Sequence, residues 1–349
     1  MKERPILVID GYNIFVRHFM ANDAVTTVGD PCGGVVGFIK ALHSLTQQFN
    51  PVRLYVVWEQ GGGCPRRRKI FPEYKANRMK VSSEFKAIGL PPNGVPSKKW
   101  IKDDKENKLT QTKNLVAALK HLPVCQLYVA DTECDDVIAY LIQNKLKSVD
   151  AMKVIVSSDR DFYQLLDDPN VQLYNPADKS LHGGPIVKVK VGKDEFVNIP
   201  ARNYALVRTL TGDDSDNIPG VPGLGFKTAL KLFPELLDNE KDRSVQELVE
   251  VAKAKSMEKK ALKAYGSVAS CGDMIWRNWQ LMFLTESTMS YEQMKKIDFA
   301  VENFSPACNK MEFIKSLLNS KIVSSINYDA LVYDMQVALI HSVQNSNIG

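Results

Sequence analysis

The sequence predicts an α/β fold: a mostly parallel sheet with helices on both faces, followed by a helical subdomain. Short β-branched apolar runs alternate with amphipathic stretches up to about residue 200, which is the pattern of βα units. Acidic residues follow most of these runs, and an apolar β-branched run reads as a buried parallel strand. From about Ala201 the strands vanish and apolar residues recur at helical spacing.

Each element has its own reason. ILVI (residues 6–9) is a strand, and GGVVGFIKALHSLTQQF (33–49) is a helix with one apolar face. RLYVVW (53–58) is a second strand, LTQTKNLVAALKHL (109–122) a helix, and VCQLYVA (124–130) a third strand. ECDDVIAYLIQNKL (133–146) is a helix that opens with its acids. KVIVSS (153–158) is a fourth strand, DFYQLL (161–166) a short helix, and VQLYN (171–175) a candidate fifth strand. KVKVGKDEFVNI (188–199) reads as a small hairpin pivoting on Gly192. Beyond it, residues 203–210, 226–233, 244–255, 258–266, 274–284, 311–318 and 328–343 read as helices. The division is then an α/β core over 1–200 and a helical part over 201–349.

Composition narrows the class. The 349 residues leave room for a full core and two domains. The net charge is only +5. With many acids committed to one region, the remaining surface must be more basic than that total implies, which suits a nucleic-acid partner. The six cysteines form no CxxC pair, so free thiols in a reducing compartment are expected, not a zinc site. The N-terminus lacks a signal-type apolar segment and no run approaches membrane-spanning length. A cytoplasmic protein without a membrane partner is expected, including one made by a virus inside its host.

The acids form four clusters: Asp10, then Glu133, Asp135 and Asp136, then Asp159 and Asp161, then Asp213 and Asp216. Ligands of open α/β sheets bind at strand carboxyl ends, so these distant acids can meet in one place. So much uncancelled negative charge calls for divalent cations. Single acids have blander readings. Asp216 suits a helix N-cap, Asp213 a turn, and Asp136 a bond to backbone amides at its own helix start.

The last cluster runs into IPGVPGLGFKTALKLF. Gly220, Gly223 and Gly225 permit a tight backbone. Its exposed amides and the following helix N-terminus can bind a phosphate, with Lys227 and Thr228 adding a charge and a hydroxyl. Outward carbonyls can hold a monovalent cation such as K⁺. Residues 75–108 are strongly basic, and their prolines and glycines forbid one continuous helix. They read either as a solvated surface loop or as a basic cover over the acidic site.

Taken together, VIDGYNIFVR (8–17), YKANR (74–78), ECDDVIA (133–139), SSDRDF (157–162) and TGDDSDNIPGVPGLGFKTA (211–229) resemble the flap endonuclease family of 5′-nucleases. That group includes phage 5′→3′ exonucleases and the N-terminal nuclease domain of bacterial DNA polymerase I. The resemblance implies a PIN-like nuclease core and a helix–three-turn–helix motif. It implies a first metal at Asp10, Glu133 and Asp135, with Asp136 beside them, and a second at Asp159, Asp161, Asp213 and Asp216. Two Mg²⁺ ions are implied, with Mn²⁺ able to substitute. Lys75 and Arg78 would reach the scissile phosphate. Tyr74 either stacks on a base or faces the core. Residues from 79 to about 112, Lys80 among them, would form an arch for a single-stranded 5′ end. The implied activity is cleavage of DNA near 5′ ends, flaps or nicks, and of RNA in RNA–DNA duplexes, in primer removal or repair. A monomer that works beside replication proteins is expected.

The sequence departs from the family where its second strand ends in Glu59 in place of aspartate. Glu59 either reaches the first metal through a water or pairs with Arg66, Arg67 or Lys75. An extra residue before YKANR leaves open which of Arg66 and Arg67 matches the family's arginine. Residues 286–349 match nothing in the family and dock either a partner or the protein's own core. Two other readings are a DNA-binding protein on this fold with weakened catalysis, and a PIN-type RNA nuclease. The nearly complete acid set argues against the first and the glycine turn against the second.

Overall fold

The computed structural model describes residues 4–59, 65–77, 105–323 and 326–340. Strand β1 (Ile6–Asp10) is buried throughout and runs straight into helix α1 (Gly11–Ala21). Asp10 caps that helix, accepting a 3.0 Å hydrogen bond from the Asn13 amide. Helix α2 (Gly33–Phe49), strand β2 (Arg53–Glu59) and the short helix α3 (Pro65–Ile70) follow. Next come α4 (Lys105–Leu119), β3 (Cys125–Val129) and α5 (Cys134–Tyr140), which a π turn extends over Leu141–Lys145. Strand β4 (Lys153–Val156) leads through a 3₁₀ turn, Arg160–Leu165, to β5 (Val171–Asn175) and β6 (Ser180–Gly183).

These strands form one sheet in the order β3-β2-β1-β4-β5-β6. The first five are parallel and β6 pairs antiparallel with β5. The chain moves outward from β1 to β3 and then crosses back to β4, so strand order reverses between β1 and β4. Such a switch point opens a crevice at the carboxyl ends. Both faces are covered, which explains the continuous apolar runs. Leu7, Ile9, Val56, Val154 and Val156 face one way, onto Phe15, Val35, Phe38 and Leu115. Ile6, Val8, Val57 and Ile155 face the other way, onto Val137 and Ile138 of α5.

The hairpin read around Gly192 is present as β7 (Ile186–Lys190) and β8 (Phe196–Pro200), a separate two-stranded antiparallel sheet. Beyond it lie α6 (Ala201–Thr211), α7 (Phe226–Leu232), α8 (Val245–Ser256), α9 (Lys263–Ser270) and α10 (Gly272–Met282). Then come α11 (Tyr291–Glu302), α12 (Lys310–Asn319) and α13 (Tyr328–Met335). One short antiparallel pairing interrupts the helical part, Gly212–Asp213 with Ile218–Pro219.

The structure adds α1, α3, β6 and α11 to the elements read from sequence. It starts α9 at Lys263, not Glu258, because residues 257–262 form the turn that brings α9 back onto α8. The division at residue 200 does not mark a boundary in the core. One apolar cluster joins Ile6 and Val8 to Leu206, Leu230 and Leu248. On the opposite sheet face, Phe313, Leu317, Leu331 and Met335 pack into the cluster that holds Phe15 and Phe38. The C-terminal helices therefore dock on the protein's own core, α12 against α4 and α13 against α2. Among the described residues no helix is long and apolar enough to cross a membrane.

Candidate active site

Asp10 sits at the end of β1, only 8% exposed. Ser157, just beyond β4, donates to it at 3.0 Å. Burial, with Asp135 and Asp159 nearby, pushes the Asp10 carboxyl up to about 7. Asp159 caps the 3₁₀ turn after β4 by accepting from the Asp161 amide at 2.8 Å. Loss of water around it and the charge of Asp135 raise it to about 6. Asp161 is likewise raised, by desolvation and then by Asp159. Asp135, in the first turn of α5, is the carboxylate whose charge acts on all three. The structure thus brings Asp10, Asp135, Asp159 and Asp161 together at the β1/β4 switch point. Asp159 and Asp161 also line a cleft of about 380 Å³ with Asn13, Lys190, Arg208 and Asp213.

Other acids in the set are already bonded to cations. Arg67 of α3, 2% exposed, grips Asp136 with two hydrogen bonds of 2.7 and 2.8 Å and reaches Glu133 at 2.6 Å. Its Nε donates to the Leu281 carbonyl at 2.9 Å, which ties α3 to α10. Glu133 also accepts from Lys75 Nζ at 2.8 Å and from the Tyr74 hydroxyl at 2.9 Å. Burial alone would raise Glu133, but Arg67 and Lys75 outweigh it and hold its carboxyl below the usual range. At Asp213, desolvation is likewise outweighed by Arg208, with which it forms an ion pair, and its pKa is lowered. Asp213 also accepts from the Ser215 amide and hydroxyl, both at 2.8 Å, as a turn residue does.

Lys75 is held from three sides. Its φ is +57°, its amide donates to the Asp216 carbonyl at 2.9 Å, and its Nζ lies 3.7 Å from the Asp216 carboxylate. Burial works against its charge, but Asp135, Glu133 and Asp216 raise its pKa. Tyr74 faces the core: it is 3% exposed and packs with Ile218, Leu281 and Met282. Its ring offers no open face for a base, because it is packed into that cluster with Lys75 Nζ 4.9 Å from its centroid. Of the cations weighed against Glu59, Arg67 and Lys75 bond Glu133, while Arg66 donates to the Thr288 carbonyl at 2.7 Å. Glu59 ends β2 opposite Val129, beside the edge that carries Asp10. Arg78, Lys80 and most of the arch, residues 78–104, lie outside the described residues.

The glycine turn packs tightly at one end and is open at the other. A Cβ on Gly220 would fall 2.3 Å from the Thr211 carbonyl, so no larger residue fits. Gly223, at φ +76°, and Gly225 face open space. Lys227, in the first turn of α7, pairs with Glu195 from the β7–β8 loop, and Thr228 beside it is half-buried. Arg208 is the charged residue of this site that sequence reasoning did not name, whereas Arg67 was named there beside Arg66 with the choice between them left open. Only the structure shows that Arg67, out of three consecutive arginines, points inward.

The family described as 5′-3′ exonuclease, N-terminal resolvase-like domain, matches residues 5–196. The 5′-3′ exonuclease of Bacillus subtilis is 30% identical over 241 residues, covering 67% of this chain and 71% of that one. DNA polymerase I of Pseudomonas aeruginosa is 32% identical over 236 residues, 67% of this chain but only 22% of that one. Both relatives are bacterial and lend no support to a phage source. A bacteriophage T5 flap endonuclease, solved in complex with DNA and metal ions, shares the fold at a TM-score of 0.63 and 16% identity. That alignment covers 86% of this chain and 98% of the T5 one. Human GEN1, solved with Holliday junction DNA, aligns at a TM-score of 0.51 and 14% identity over 97% of this chain and 72% of its own. On the domain match and the Bacillus relative, the chain belongs to the 5′-3′ exonuclease family.

Proposed function

We propose that the protein is a divalent-metal-dependent, structure-specific 5′-nuclease. It hydrolyses phosphodiester bonds near 5′ ends, flaps or nicks of DNA, and RNA in RNA–DNA duplexes, as primer removal and repair require. The observation that carries this reading is the crowding of Asp10, Asp159 and Asp161 at the switch point, each raised above the ordinary carboxylate range. Among the described residues, the cations near these carboxylates are shared, Lys75 with Glu133 and Arg208 with Asp213. Hard oxygen donors of this kind suit Mg²⁺ or Mn²⁺. Among the described residues no three His, Cys, Asp or Glu side chains converge as one ligand set. Mg²⁺ is commonly held by one or two carboxylates and keeps several waters, so the donors present still fit it.

In this reading Asp10 and Asp135 hold one ion, with Glu59 acting through a water, and Asp159 and Asp161 hold the other. Bound ions would activate a water and stabilise the leaving oxygen. Glu133, Asp136, Asp213 and Asp216 act mainly by placing Arg67, Lys75 and Arg208. Lys75 Nζ is aimed by Glu133 to meet negative charge on a phosphate, a role Arg78 shares. The open backbone at Gly223 and Gly225, with Lys227 and Thr228, binds a backbone phosphate, and K⁺ belongs to the same reading. The test is incubation of the protein with Mg²⁺ and end-labelled 5′-flap, nicked and single-stranded DNA. Mg²⁺-dependent release of short 5′ products is expected. Intact label on all three at millimolar Mg²⁺ or Mn²⁺ would remove the reading.

A further inference from the structure

The β7–β8 hairpin links the two halves of the site above: Lys190 lines the acidic cleft and Glu195 reaches the glycine turn. Its inner face is anchored: Val187, Val189 and Ile199 are buried in the main core cluster. Its outer face is open, with Ile186 44% and Phe196 48% exposed and Lys188 and Lys190 exposed beside them. Register places Lys190 opposite Phe196 and Lys188 opposite Asn198. Lys188 Nζ lies over the Phe196 ring at 4.6 Å, so the aromatic supports the ammonium instead of offering a stacking face. Lys190 lines the cleft with Asp159, Asp161 and Arg208. At the other end of the hairpin, Glu195 pairs with Lys227 of the glycine turn.

We propose that Lys188 and Lys190 on the outer face of the β7–β8 hairpin are a phosphate-contact strip for duplex nucleic acid, joining the acidic cleft to the glycine turn. The proposal rests on the nuclease reading given above. Residues two apart on a strand face the same way and sit about 7 Å apart. A nucleic-acid strand winds around its axis, so neighbouring phosphates lie farther apart through space than the ~3.4 Å axial rise, and this pair suits two neighbouring phosphates. A rigid two-stranded platform holds that spacing better than a loop, and it reads no base. The absence of any acid among the outward residues of the two strands fits a polyanion better than an acidic or apolar partner.

The experiment uses the full chain with Ca²⁺ in place of Mg²⁺ and a fluorescent nicked duplex, read by anisotropy across a salt series. Lys188→Ala/Lys190→Ala should weaken duplex binding about tenfold and reduce the magnitude of the salt slope by about 1.8, or 0.9 per lost phosphate contact. Binding to single-stranded DNA should change less than about twofold. Lys188→Glu should deepen the duplex loss, and an unchanged melting temperature should show that the fold is intact. Wild-type affinity and slope in the double variant overturn the proposal, as does an equal loss on single strands. If the wild-type protein itself shows no salt-dependent duplex binding, the nucleic-acid reading fails first, and this strip with it.

Discussion

Asp10 shows how a single carboxylate links the fold to its chemistry. It caps α1, it is buried, and its folded pKa is about 7 against the ordinary 3.8. The folded protein therefore holds a proton there that the unfolded chain has released once the pH exceeds about 4. Without metal, stability falls as pH rises from about 4 through about 7. Asp10→Asn removes that burden. In EDTA the variant is expected to be more stable than wild type above pH 7, by ~4 kcal/mol, with the gain vanishing near pH 4. Urea melts across pH check this, and a constant difference at every pH would contradict it. Arg67 presents the opposite case, a buried cation that two carboxylates require. Arg67→Met is expected to destabilise by ~3–5 kcal/mol, because it strands Glu133 and Asp136 in the interior. Adding Asp136→Leu should recover part of that loss in the same melts. Asp10, Asp135, Asp159 and Asp161 were legible in sequence because each follows or opens an element whose type can be read. The inward turn of Arg67 was not, because burial of one residue in RRR depends on what packs against α3.

At the scale of elements, the glycine turn carries the sharpest steric constraint. Gly220→Ala would push a methyl into the Thr211 carbonyl, 2.3 Å away. The turn between α6 and α7 must then shift. A loss of ~1–3 kcal/mol in stability and weaker duplex binding are expected, checked by thermal melts and gel shifts. An unchanged melt would show that the turn relaxes freely. Elements with a strong local signal were readable, including the doubly buried strands and α2. Helix α11 carries only a short signal, the SYEQ in which Ser290 and Gln293 form a capping box. Strand β6 had none. Its SLHG has no apolar run, and it is a strand only because β5 is there to pair with. Helix α1 was hidden because no loop separates it from β1.

For the whole molecule, the main surprise is where the chain's end goes. Helices α12 and α13 pack over α4 and α2 on the side of the sheet opposite α5, and Phe313 is fully buried there. Phe313→Ala is expected to lower global stability by ~3–5 kcal/mol in a single cooperative denaturant transition. A separate early transition in the variant, with the main one unmoved, would instead mark these helices as an independent module. Sequence could not place them, because amphipathic helices show that a face is buried but not what buries it. The same topology gathers Asp10, Asp135, Asp159 and Asp161 at one edge, and the proposed function stands on these four working as metal ligands. The most direct measurement pairs single-turnover cleavage of an end-labelled 5′-flap DNA with binding of the same DNA, for wild type, Asp135→Asn and Asp159→Asn at millimolar Mg²⁺. Both variants are expected to lose cleavage by ~10³-fold or more, about 4 kcal/mol of barrier, while binding stays within a few-fold. Wild-type turnover by either variant would contradict it.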